Sequence, residues 1–168
     1  MKQYTSLKKL LKFKNDNDIM KYTEEISNKL NELLIKNYDA EKGYLNAAET
    51  VESPALKMFF KKRAIERGDF AKALRIEILR YGQIPEDGGS FKGAVYRNWT
   101  TLRTLLASND VEIVLKEAIR GEEESLKEYD EILKDRNMPP SIDIMLNNQR
   151  KAIQAAINSE KVHEVLVS

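Results

Sequence analysis

The four prolines of this chain stand at Pro54, Pro85, Pro139 and Pro140, and the stretches between them are far longer than a β-strand. Proline lacks an amide donor and ends or kinks a helix, so these positions mark where long helices must stop. Only 7 glycines accompany them in 168 residues, which leaves few other breaks. The uninterrupted pieces carry apolar residues at three- and four-residue spacings, the period of a helix with one buried face. The chain is therefore expected to be all-α.

The first piece, from about residue 22 to 51, aligns Ile26, Leu30, Leu33, Leu34, Tyr44, Leu45, Ala48 and Val51 on one stripe. Ser53-Pro54 then supplies a helix cap followed by proline at the first helical position. The second stripe holds Leu56, Phe59, Phe60, Ala64, Phe70, Leu74, Ile78 and Tyr81 and ends near Gly82. Residues 82–90 read GQIPEDGGS, a run of turn formers, and Ser90 is placed to cap a shorter helix with Phe91, Val95, Trp99, Leu102 and Leu106 on one side. Asn109-Asp110 opens the third long helix, whose stripe is Val111, Val114, Leu115, Ala118, Leu126, Tyr129 and Leu133. The fourth follows Pro139-Pro140, from about Ser141 to Val165, with Ile142, Leu146, Ile153, Ala156, Ile157 and Val162 inward.

Two of the connections are only a few residues long, so the first and second long helices form one antiparallel hairpin and the third and fourth another. About 26 residues separate the hairpins, and a helix of some 16 of them, at 1.5 Å each, covers roughly 24 Å. That returns the chain toward the end where the second helix began, so the third is expected to run parallel to it. The fold expected is a ferritin-like four-helix bundle: two antiparallel hairpins joined by a long crossover that contains an extra helix. Residues 22–168 form this single domain. Residues 1–21 are read as a short Lys-rich arm with Leu7, Leu10, Leu11 and Phe13 as its apolar members, docked on the bundle in preference to a second copy or a membrane surface.

Composition narrows the functions. The 42% of hydrophobic residues suffice for one core and the 33% of charged residues to solvate it. Lys and Arg number 28 against 27 Asp and Glu, a net charge of +1, which lacks the basic excess that neutralises phosphates; nucleic acid is not an expected partner. The absence of cysteine removes disulfides and thiolate chemistry and fits a reducing, cytoplasmic location. No apolar run reaches the roughly 20 residues of a transmembrane helix.

Polar residues interrupting the stripes are the candidates for function. Glu41 falls inward or close to it in the first long helix, and Arg63 and Arg67 in the second, Glu122 in the third and Gln149 in the fourth fall on the inward stripes. Counted from their hairpin turns, all five fall near one layer. Glutamates with arginines make a structural ion-pair network, a carboxylate metal site or a partly exposed group, and the ligand inventory favours the network. A ferritin-like di-iron site takes a Glu from two helices and a Glu-x-x-His from each of the other two. This chain has one histidine, and its one Glu-x-x-His is Glu160 to His163. Arginine also supplies the positive charge that buried carboxylates require. For iron or manganese the candidate ligands are Glu41, Glu49, Glu122, Glu160 and His163, with Glu117 near the same end; no cofactor is otherwise expected.

Other patterns carry less. Arg67-Gly68-Asp69 lies inside a helix, Gly88-Gly89-Ser90 lacks the strand of a phosphate loop, and Arg97 with Trp99 reads as a packing pair on the crossover. The sequence Gly43-Tyr44-x-x-Ala47-Ala48-Glu49, then PEDGGSFKGAVYRNW at 85–99, Arg120-Gly121-Glu122, Gln149 and His163 resembles the bacterial ferritin-like four-helix-bundle proteins of domain-of-unknown-function family 2383 over about residues 24–166. Tyr96 departs from that pattern, which has His before the arginine. The resemblance implies the ferritin-like bundle and brings no established activity, although more distant ferritin-like proteins bind two irons, store iron or handle peroxide. Three readings follow: a non-enzymatic, stress-associated or self-associating bundle, such as a homodimer; a metal-binding oxidase or peroxidase with a degenerate site; and a small-molecule binder using Tyr44, Tyr129 and Trp99.

Overall fold

Helix boundaries follow the capping chemistry of the sequence. In the computed structural model of the chain the backbone is described at residues 2–87, 94–108 and 110–167, and the side chains at 14–87, 99–108 and 110–161. These residues form five helices and no strand: α1 (Lys2–Thr50), α2 (Pro54–Arg80), α3 (Ala94–Leu106), α4 (Val111–Leu133) and α5 (Pro140–Val167). Ser53 accepts from the amide of Leu56 to open α2, with Pro54 at its first position, and Asp110 accepts from Ile113 to open α4. Gly82, at φ +70°, takes the left-handed conformation that follows the end of α2. Ser90, Phe91 and Asn109 lie outside the described residues, as do the side chains of Val95, Tyr96, Arg97, Val162, His163 and Val165.

Two expectations change. Residues 2–21 continue α1 without a break, because no proline or glycine occurs before Gly43 to stop the helix. At 49 residues α1 is longer than the 27-residue α2 by about 33 Å, and residues 14–21 are all exposed. The side chains of Leu7, Leu10, Leu11 and Phe13 lie outside the described residues. Leu45 is 46% exposed instead of inward. Tyr44, Ala47, Ala48 and Val51 already define the buried stripe, and Leu45 falls about 100° around the helix from Tyr44.

Side-chain contacts set the helix directions. Tyr44 meets Phe60, and Asn37 meets Arg67, so α1 and α2 are antiparallel. Tyr44 bonds Glu122, Asn37 bonds Tyr129, and Lys36 pairs with Glu128, so α4 also runs opposite to α1. Asp130 with Arg150 and Glu123 with Lys161 set α5 antiparallel to α4. Helix α3 lies across α1 and α4, where Gly43 lets the Trp99 ring approach so closely that a Cβ at 43 would collide with it. Among the described residues no helix is long and apolar enough to cross a membrane.

The core has two apolar halves. One joins Leu30, Leu34, Leu74, Ile78, Ile142, Leu146, Ile153 and their neighbours from α1, α2, α4 and α5. The other joins Ala48, Phe60, Leu102, Leu106 and Leu115 with theirs, from α1, α2, α3 and α4. Polar side chains fill the level between them.

Candidate functional site

Each polar side chain at this level occupies a position where helical spacing points inward. Asn37 falls between Leu34 and Ala40 on α1, Arg67 between Ala64 and Phe70 on α2, Glu122 between Ala118 and Tyr129 on α4, and Gln149 between Leu146 and Ile153 on α5. All are buried. Withdrawal from water makes each require a partner, since an unpaired buried charge costs several kcal/mol.

The partners form one connected set. Arg67 Nη2 donates to Glu122 Oε2, and the Tyr44 hydroxyl donates to Glu122 Oε1. Arg67 Nη1 donates to Asn37 Oδ1 at 3.1 Å and to Ser125 Oγ at 2.9 Å. Asn37 Nδ2 donates to the Tyr129 hydroxyl at 3.0 Å, and that hydroxyl donates to Gln149 Oε1 at 2.7 Å. Gln149 Nε2 reaches the Phe70 carbonyl at 3.4 Å. Four helices are thus tied through one ion pair and a chain of neutral hydrogen bonds, an arrangement that rewards a single packing register.

The electrostatics follow from burial. Burial alone would lower the Arg67 pKa, but Glu122 opposite more than offsets it and the guanidinium stays charged. Burial, reinforced by the negative charge of Glu122, pushes the Tyr44 phenol well above its ordinary 10. Burial likewise takes Tyr129 to about 12. Glu160 on α5 is different: it is 1% exposed, and neither carboxylate oxygen has a hydrogen-bond partner among the described residues. Burial chiefly, then the charge of Glu122, raises its pKa from 4.5 to about 8, with Arg63 and Arg67 pulling the other way. Glu160 is therefore a neutral acid at pH 7.

Of the residues assigned to a polar layer by sequence, Arg67, Glu122 and Gln149 come together in this network. Arg63 is buried beside it and pairs with Glu66 one turn along its own helix, at 2.6 Å. Glu41 is half-buried and lies across Gly68, the glycine leaving room for its carboxylate. Asn37 and Ser125, which sequence reasoning did not assign to the site, complete it. Asn37 carried a usable signal as a polar residue within an apolar series. Tyr44 and Tyr129, assigned to a ligand cavity, serve here as hydroxyl partners within the network.

The candidate metal donors are dispersed. Glu122 and Glu160 are interior, Glu41 is at the edge, Glu49 is exposed, and the His163 side chain lies outside the described residues. Among the described residues no group of three or more His, Asp or Glu is placed to hold a metal ion. Both oxygens of Glu122 are already engaged by Tyr44 and Arg67, so the described donors do not fit a di-iron centre.

A family model described as a domain of unknown function (DUF2383) matches residues 25–135. That span carries the Tyr44, Arg67 and Glu122 part of the network; Gln149 and Glu160 on α5 lie beyond it. No curated protein matches the chain.

Proposed function

The chain belongs to the DUF2383 family, and we propose that it is a non-enzymatic helical bundle, ferritin-like in connectivity, whose interior polar layer specifies how its helices pack. The observation that carries this reading is Arg67. Its guanidinium sits against Glu122 and supplies the positive charge that a cation would bring to an interior carboxylate. The direction of α4, opposite to α1 and so parallel to α2, supports the ferritin-like order of helices. The lack of cysteine supports a cytoplasmic site of action. Four apolar side chains on α2 support self-association as a homodimer: Met58, Ile65, Ile76 and Leu79 are all more than half exposed.

Metal analysis by mass spectrometry after gentle purification tests the reading, with a metal-free protein as the expected result. Near-stoichiometric iron or manganese would overturn it in favour of the oxidase or peroxidase alternative. Sedimentation over a range of concentrations tests the homodimer, which a single monomeric species would remove. The small-molecule reading retains one observation of its own, a groove walled by Tyr44 and Trp99.

A further inference from the structure

Between α1, α3 and α4 lies a groove of about 80 Å³. Its apolar part is formed by Ala40 and Tyr44 from α1, Trp99 and Leu102 from α3, and Ala118 and Gly121 from α4, and charged side chains line the rest. Small residues keep it open, and a Cβ added at Gly121 would meet no atom within 4 Å. The volume is several times the roughly 10–15 Å³ that one water needs. The groove also reaches the polar level of the core, because Arg67 and Ser125 contribute to its lining.

The polar groups there define what would fit. The Arg67 terminal nitrogens donate to Asn37, Ser125 and Glu122, and its buried Nε–H has no acceptor. Ser125 accepts from Arg67 through its oxygen, which leaves its own hydroxyl proton to donate. The Ser125 hydroxyl on the groove wall therefore calls for an acceptor. Charge is already balanced: Arg67 is matched by Glu122, Lys36 at the rim by Glu128 at 2.8 Å, and Arg120 by Glu117 and Glu124 at 2.6 and 2.5 Å. An anion would meet no unpaired cation among these groups, and a cation would meet Arg67. The aromatic pair formed by Tyr44 and Trp99, edge to face with centroids 5.0 Å apart, offers a surface for a flat apolar body.

We propose that this groove binds a small uncharged molecule with a flat apolar body and one hydrogen-bond acceptor, an amide or another carbonyl compound, its acceptor directed at the Ser125 hydroxyl. The proposal rests on the small-molecule reading and adds to it a place and a ligand class.

Trp99 is the one tryptophan in the sequence and lines this groove and a second one with Asp39 and Asn46, so its fluorescence reports binding and the Gly121 variant assigns it to this groove. Benzamide is the probe, with toluene as a ring of similar shape that lacks the acceptor. Benzamide is expected to change Trp99 emission saturably in the millimolar range, with toluene weaker by about tenfold, the value of one buried hydrogen bond. In Gly121→Leu the response should be lost while the melting temperature stays equal or rises, since replacing a mid-helix glycine favours the helix. Toluene binding as tightly as benzamide would overturn the ligand class and leave the groove as a binding site. An undiminished response in Gly121→Leu would overturn the location. No saturable response to either probe would overturn both the proposal and the small-molecule reading beneath it.

Discussion

Glu122 on α4 and Glu160 on α5 are two glutamates in one interior, 0% and 1% exposed, and their partners differ completely. Glu122 receives Arg67 and the Tyr44 hydroxyl, one on each oxygen, within a hydrogen-bonded set. Glu160 receives nothing among the described residues, and burial moves its proton affinity until the acid is neutral at pH 7. A positioned cation offsets the desolvation that otherwise drives protonation, and Glu160 has none bonded to it among the described residues. Arg63 and Arg67 both act on Glu160 through space. Arg63 is held by Glu66 and Arg67 by Glu122.

Removing the cation breaks the comparison most severely. Arg67→Ala leaves Glu122 buried with one partner in place of two and makes it resemble Glu160. Losing one member of a buried pair is expected to cost about 3–5 kcal/mol, read as a lowered midpoint in urea unfolding. The double variant Arg67→Met, Glu122→Leu should recover most of that loss, since replacing both charges by apolar groups is close to neutral. A single-variant loss below about 1 kcal/mol would show that the pair does not organise the interior.

The second test removes the neutral acid. The folded chain holds the Glu160 proton up to about pH 8, whereas the unfolded chain releases it near 4.5. Between those values the folded state binds more protons, so stability falls as pH rises, by up to ~1.4 kcal/mol per unit. Below pH 4.5 both states are protonated and the contribution is constant. Asp39, raised chiefly by burial to about 6, acts in the same direction but only over the lower part of this range. The interval from pH 6 to 8 therefore isolates Glu160. Over it the native chain should lose about 2 kcal/mol relative to Glu160→Gln. Parallel stability curves for the two proteins would mean that Glu160 finds a cation in solution.

The helices were legible because proline and glycine are rare and apolar spacing is regular; Ser53-Pro54 and Asp110 marked two starts to the residue. Arg67, Glu122 and Gln149 were legible as polar residues on apolar stripes. Glu41 lies at the margin of the core, close to the inward stripe, where Gly68 on α2 leaves room for its carboxylate. Glu160 continues the series Ile153, Ile157 and so carried an inward signal, yet its neighbour His163 drew attention to metal binding in place of protonation. Residues 1–21 carry one short apolar series, Leu7, Leu10, Leu11 and Phe13, separate from the stripe that begins at Ile26, and their continuation into α1 follows from the lack of proline and glycine. The groove was out of reach, since open space depends on which side chains meet across three helices.

The smallest test asks how far the Glu122 arrangement depends on its neutral members. Ser125 is half-buried and accepts from Arg67 Nη1 at 2.9 Å, and the same nitrogen also donates to Asn37 at 3.1 Å. Ser125→Ala removes one acceptor and leaves the other, so the guanidinium keeps its position and its pairing with Glu122. The expected loss is about 1 kcal/mol in urea unfolding, the worth of one neutral hydrogen bond. The decline in stability from pH 6 to 8 should be unchanged, because Glu160 is not bonded to Ser125. A loss as large as that of Arg67→Ala would place the hydroxyl on equal terms with the carboxylate. The ion pair would then no longer be what separates Glu122 from Glu160.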